Sequence, residues 1–146
     1  MNKVLFNVKD VEKPLWEKNA GVFIKEILDN LKLENWEVSV LFCNNSYIKS
    51  LNAQYREKNE ATDVLSFPLG EKSKNGRFLA GDIVVSLDAL EENARFFKVS
   101  ADEELRRLFI HGILHLAGYD HVTNDKEEPM LQTQEKLLLS IQRKIL

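Results

Sequence analysis

The three histidines of this 146-residue chain all fall in one short run, His111-Gly-Ile-Leu-His115-Leu-Ala-Gly118-Tyr-Asp-His121. Residues four apart on an α-helix share a face, so His111 and His115 can aim two imidazoles at one point. Gly118 can adopt the left-handed conformation that ends a helix. The chain can then turn back through Tyr119 and Asp120 and bring in His121 as a third ligand. Three neutral imidazoles with a vacant fourth position describe a catalytic zinc site, whereas structural zinc sites are closed by four protein ligands and are usually rich in Cys. A single His on a half-apolar helix is more often a packed, hydrogen-bonded residue than a ligand. The glycine stop and the third His at this spacing tip the reading to metal. The run predicts a metal-dependent hydrolase.

The residue after the first His narrows the chemistry. Zinc proteases of the H-E-x-x-H type place a Glu there as general base. Here the position is Gly112, which has no side chain to take a proton from an attacking water. The spacing imitates a metzincin protease while omitting its base, so peptide hydrolysis is the weaker alternative.

Composition sets the frame. A chain of this length is expected to form one domain, 1–146, with a core that needs no disulfides. The single cysteine, Cys43, excludes an internal bridge, suits a reducing cytosol, and is expected to be a small buried hydrophobe. No signal peptide is expected at the start and no apolar run approaches a membrane span, so the expected location is cytoplasmic, with no membrane partner. The net charge of −3 does not announce a nucleic-acid binder unless basic residues cluster locally or a metal supplies the positive field.

The pattern along the chain alternates strands and helices. Residues 4–8 read as a strand, and a helix is expected from near Pro14 to about Leu33 with Val22, Ile24, Ile27, Leu28 and Leu31 as its buried stripe. Residues 36–42 read as a second strand, followed by a helix capped by Asn44, Asn45 or Ser46 and ending near Tyr55. Residues 56–62 form a polar loop. Residues 63–67 read as a strand stopped by Pro68, and residues 81–86 as a fourth strand after a charged connection at 72–77. Ser86 is expected to cap a helix to about Phe97. Ser100 and Glu103 match a capping box opening the histidine helix, 101–117. A last amphipathic helix is expected over about 125–145, with Met130, Leu131, Leu137, Leu138 and Ile141 available for burial. Four strands interleaved with about five helices predict an α/β layer fold.

Three blocks make the chain resemble the YbeY family (UPF0054-type metalloproteins), bacterial ribosomal-RNA maturation endoribonucleases that bind one zinc. They are Leu51-Asn-Ala-Gln-Tyr-Arg56-Glu-Lys58 running into Thr62-Asp63-Val-Leu-Ser-Phe-Pro68, then Gly81-Asp82-Ile83, then the histidine run. Ala61 stands where the family often has proline, and Ala117 where leucine is commoner. The resemblance implies a single-domain mixed four-stranded sheet with one antiparallel strand. It implies Zn²⁺, one per chain, on His111, His115 and His121, with Arg56 and His115 catalytic. It further implies single-strand-specific RNA cleavage in 16S rRNA 3′-end maturation and ribosome quality control. The implied partners are the 16S rRNA precursor and the ribosome or its proteins, and no DNA is expected.

The remaining candidates follow from chemistry. An arginine fork suits the charge that builds on non-bridging phosphate oxygens, which makes Arg56 a natural partner of the metal. Asp82 and Asp120 are candidates for proton transfer or for orienting an imidazole, with a turn role preferred for Asp120. Glu104, two turns before His111, reads as an ordinary helix-surface charge. Tyr55, Phe67 and Phe78 could stack on bases, with core packing at least as common. Lys58, Lys72, Lys74 and Arg77 could follow an RNA backbone, though each alone is more often simply solvated. Besides the protease, one further alternative stands: a non-catalytic ribosome-binding module in which zinc clamps the glycine turn.

Overall fold

A computed structural model describes residues 1–121 and 123–146. The elements run β1 (Lys3–Val8), α1 (Glu17–Asn30), β2 (Trp36–Cys43), α2 (Asn45–Arg56), β3 (Val64–Lys72), β4 (Phe78–Ser86), α3 (Leu87–Phe97), α4 (Ala101–Leu116) and α5 (Pro129–Ser140). The sheet order is β1-β2-β4-β3. β1, β2 and β4 are parallel, and β3 runs antiparallel to β4. The expected mixed sheet, its one antiparallel strand and the five helices are all present among the described residues.

Strand alternation separates two layers. Val38, Val40 and Phe42 of β2 and Ile83 and Val85 of β4 are at most 1% exposed and join one core with α1, α4 and α5. Their neighbours Leu41, Cys43 and Val84 pack instead with Ile48 and Leu51 of α2. α4 is therefore a central helix against the sheet, and its histidines stand at its C-terminal end.

Several boundaries moved for physical reasons. α1 is shorter than expected and its buried stripe is Ala20, Phe23, Ile24, Ile27 and Leu28. That set follows the helical repeat, and Val22 falls off it, 39% exposed. β3 does not stop at Pro68 but runs on to Lys72, with a register shift between Pro68 and Glu71. β3 has only one strand neighbour, and an edge strand tolerates a residue without an N–H. Opposite Pro68 sits Gly81, at φ +139°, where a Cβ would lie 2.2 Å from the Phe67 carbonyl oxygen. The close crossing of β3 and β4 thus requires glycine, which accounts for one of the three sequence blocks. β4 also begins earlier than expected, at Phe78.

α5 is shorter than the expected 125–145. It starts with Pro129 at its first turn and ends at Ser140, yet Ile141 and Ile145 beyond it are buried. Asp102, in the first turn of α4, accepts from the backbone N–H groups of Ile145 and Leu146 at 2.7 and 3.0 Å and holds that tail against the helix. No helix among the described residues is long and apolar enough to cross a membrane.

Cys43 is fully buried at the end of β2, as expected. Burial, and secondarily the charge of Asp88, pushes its thiol up to about 11. Thiolate is the reactive form. Native protein at pH 8 is therefore expected to resist iodoacetamide and to be alkylated only after unfolding, as mass spectrometry would read.

Candidate metal centre

α4 begins with Ser100 as its cap, the hydroxyl accepting from Glu103 N at 3.0 Å. Its other end is closed by a glycine turn. Gly118 has φ +96°, its N–H donates to the His115 carbonyl at 3.1 Å, and Tyr119 N–H donates to Leu114 at 2.9 Å. This crossed pair of bonds is the Schellman ending that Gly118 was expected to permit. Asp120 then takes the turn role preferred for it, accepting from His121 N at 2.8 Å.

The reversal brings the three imidazoles together. Ring centres of His111, His115 and His121 lie 4.7, 5.3 and 5.6 Å apart in pairs. His111 Nε2 and His115 Nε2 are 3.1 Å apart, and one nitrogen from each of the three rings falls within 4.8 Å of the others. Nitrogens bound to one tetrahedral zinc at 2.0–2.1 Å would sit about 3.4 Å apart, so the spacing suits a single small cation. No other His, Cys, Asp or Glu joins the group among the described residues.

The far side of two rings fixes which nitrogen is offered. His121 Nδ1 lies 2.7 Å from the Thr123 carbonyl, which can only accept, so Nδ1 carries a hydrogen and Nε2 is the nitrogen that the neutral ring offers to an ion. His111 Nδ1 lies 2.7 Å from Gln134 Oε1. Burial pushes the His111 imidazole below its usual range, partly offset by Gln134, and pushes His115 down with help from its two His neighbours. Neutral rings are the metal-binding form. The donor set therefore fits zinc or another imidazole-preferring divalent ion.

The histidines open into a cavity of about 620 Å³ that also takes in Arg56, Lys58, Asp63, Glu104 and Phe97. Arg56 ends α2 and donates through Nη2 to the Ser66 carbonyl at 2.8 Å, with its guanidinium carbon 5.9 Å from the centre of the Phe67 ring. Arg56 and His115, expected to act together, thus share one cavity although 59 positions separate them in sequence.

Other candidates are placed elsewhere. Asp82 pairs in register with Ser39 and Phe67 and lines a groove on the opposite sheet face with Tyr55 and Tyr47, so it is not beside the histidines. β4 alternation is the reason, since its neighbour Ile83 is the residue that faces α4. Phe78 packs on Trp36 at 5.1 Å and Phe67 meets Tyr55 at 5.5 Å, edge to face. Lys72, Lys74 and Arg77 lie at the β3–β4 hairpin, and Arg77 donates to the Met1 carbonyl. Only Lys58 of the basic candidates joins Arg56 at the cavity.

Glu104 corrects an expectation. It is 4% exposed, not a surface charge, and Arg107 donates to it at 3.1 Å. Burial raises its carboxyl above the usual range despite that arginine. Gln134 and Asp63 were not foreseen. Asp63 holds its loop by accepting from Val64 N at 2.7 Å and Asn93 Nδ2 at 3.0 Å. Gln134 had a sequence signal, a polar residue on the α5 stripe between Met130 and Leu138.

Gly112 decides against the protease geometry. A Cβ there would meet Ile83 Cδ1 at 2.9 Å and Cγ2 at 3.0 Å. The position faces the sheet, so a side chain at 112 would be driven against the buried Ile83.

Known proteins agree with this assembly. A family model described as Endoribonuclease YbeY matches residues 5–142. A protein named Endoribonuclease YbeY from Treponema denticola is 51% identical over 121 residues, covering 80% of this chain and 78% of that one. Its namesake from Persephonella marina is 38% identical over 143 residues, covering 97% and 94%. A solution structure of a Thermotoga maritima protein superposes with a TM-score of 0.66 at 34% identity, covering 97% of this chain and 89% of the other. A match to nearly the whole chain, with the three blocks accounted for by the site and the crossing that supports it, leads to one conclusion: the chain belongs to the endoribonuclease YbeY family.

Proposed function

We propose that this chain is a zinc-dependent endoribonuclease that cleaves single-stranded RNA, acting in 16S rRNA 3′-end maturation and ribosome quality control in the cytoplasm. Its partners on this reading are the 16S rRNA precursor and the ribosome or ribosomal proteins. The observation that carries the reading is the convergence of three imidazole nitrogens in the same cavity as the Arg56 guanidinium.

His111, His115 and His121 would hold the ion, which when bound supplies a Lewis acid and lowers the pKa of coordinated water to about 7. Phosphodiester cleavage gathers negative charge on the non-bridging oxygens. Arg56 is built to meet that charge. One of its five N–H donors is used on Ser66, which fixes the guanidinium plane, and the fork remains able to take phosphate oxygens. Lys58 adds a second cation on the same cavity wall and would hold the strand without reading its sequence. The net charge of −3 would be offset at the site by the bound ion together with Arg56 and Lys58, since Glu60, Asp63 and Glu104 line the same cavity.

The test is cleavage of an end-labelled single-stranded RNA by wild-type protein, by chelated protein and by protein reloaded with zinc. Chelation is expected to stop cleavage and reloading to restore it. Arg56→Ala is expected to retain zinc and to lose roughly 10²–10³-fold in kcat, the usual cost of one transition-state electrostatic contact. Cleavage that survives chelation would remove the metal from the mechanism, and an unchanged kcat in Arg56→Ala would remove the arginine.

A further inference from the structure

α5 supplies no histidine, yet one of its side chains reaches the centre. Gln134 is 7% exposed and its Oε1 lies 2.7 Å from His111 Nδ1. An amide can face an imidazole either way, and the two orientations impose opposite tautomers. With its oxygen toward the ring, Nδ1 must carry the hydrogen and Nε2 is bare. With its nitrogen toward the ring, Nδ1 accepts and Nε2 is left protonated, which blocks it as a ligand.

The neighbouring side chain selects the first orientation. Gln134 Nε2 lies 3.1 Å from Glu135 Oε2, and an ionised carboxylate only accepts. Turning the amide over would set two acceptors against each other. Glu135 is in turn gripped by Arg107, whose Nε and Nη2 donate to its two oxygens at 3.0 and 3.2 Å. That two-pronged geometry fixes the carboxylate as well as its charge. Arg107 also donates to Glu103 and Glu104, at 3.1 Å each, so the guanidinium is held from three sides. The bonds run from Arg107 on α4, through Glu135 and Gln134 on α5, and back to His111 one turn further along α4.

We propose that Gln134 is a positioning residue for the metal: Arg107 and Glu135 orient its amide, and the amide holds His111 with Nε2 offered to the ion. This rests on the reading of the three histidines as zinc ligands. It assigns α5 a part in the centre beyond packing. It also separates two of the ligands, because the His121 tautomer is set by a backbone carbonyl and that of His111 by a replaceable side chain.

Zinc affinity, measured by competition with a chromophoric chelator and without RNA, tests the relay. Gln134→Met keeps length and burial but removes the acceptor, and is expected to weaken zinc binding by about 10- to 100-fold. Gln134→Glu keeps an oxygen for Nδ1–H to donate to, and is expected to bind zinc at least as tightly as wild type. Cobalt-loaded Gln134→Met should show a shifted visible spectrum, a change that loss of packing alone would not produce. Equal zinc affinity in wild type and Gln134→Met, or equal loss in the Met and Glu variants, overturns the relay. A wild-type protein that binds no zinc overturns the ligand reading itself, so the two failures are distinguishable.

Discussion

In His115→Ala protein, RNA cleavage is expected to fall by at least about 10⁴-fold and bound zinc to be lost. The size follows from what the ring does. His115 Nε2 lies 3.1 Å from His111 Nε2, so these two rings offer adjacent corners to one ion. Two remaining rings cannot complete the three-ligand set of a catalytic zinc site. A 10⁴-fold loss corresponds to roughly 5.5 kcal/mol of barrier, in keeping with several kcal/mol from charge stabilisation plus the lost activation of water. The fold itself should survive, since His115 is only half-buried and its neighbours on α4 supply the core contacts. Two measurements check this together. Single-turnover cleavage gives the rate, and thermal unfolding with and without zinc shows whether the variant still gains stability from the ion. Zinc at a thousandfold excess over its Kd stabilises a folded protein by about 4 kcal/mol, so a lost site is plain in the melting curve. A variant that keeps wild-type rate with zinc bound would mean that the histidines are not the catalytic centre.

The centre was legible in sequence where its geometry is local. His111, His115, Gly118 and His121 belong to one helix end, and a four-residue spacing followed by a glycine carries its own geometry. Arg56 was reached through the family's blocks, because a residue on α2 can meet one on α4 only after the sheet is assembled. The partners of Glu104 and Gln134 were not legible, although Gln134 stands out as a polar residue on the α5 stripe. A buried polar residue is tolerated only if it finds a partner. That of Gln134, His111, lies across the α4–α5 contact, whereas that of Glu104, Arg107, is three residues along α4, and it is the burial of Glu104 that only the assembled fold shows. Asp82 looked suitable by type, and strand register sends it to the other face. Pro68 shows the same limit in the fold: whether it ends a strand depends on whether that strand is an edge. Helix starts marked by Asn44, Ser86 and Ser100 were readable because a cap is a bond to the backbone three residues on.

Gly112→Glu, which restores the letter missing from the protease pattern, is expected to destabilise the protein by at least about 4 kcal/mol and to create no peptide hydrolysis. The first cost is volume. A Cβ at this position lies 2.9 Å from Ile83 Cδ1, and Ile83 is itself fully buried in the middle of the sheet. A β-branched side chain closed in on all sides has little room to yield, and overpacking of this kind costs roughly 1–3 kcal/mol. The second cost is charge, because a carboxylate driven against the buried Ile83 is stripped of water, a penalty of several kcal/mol. Against these stands only the helix propensity recovered when glycine is replaced, about 1 kcal/mol at most. Urea unfolding of wild type, Gly112→Ala and Gly112→Glu separates the terms, since alanine keeps the volume cost and removes the charge. The expected order is a small net loss for alanine and a loss comparable to much of a domain's stability for glutamate. A stable Gly112→Glu protein that hydrolysed peptides would contradict both the packing and the direction in which the position points. The glycine after the first histidine is thus a packing requirement: the helix that presents the imidazoles lies so close to the sheet that the position facing Ile83 has room only for hydrogen.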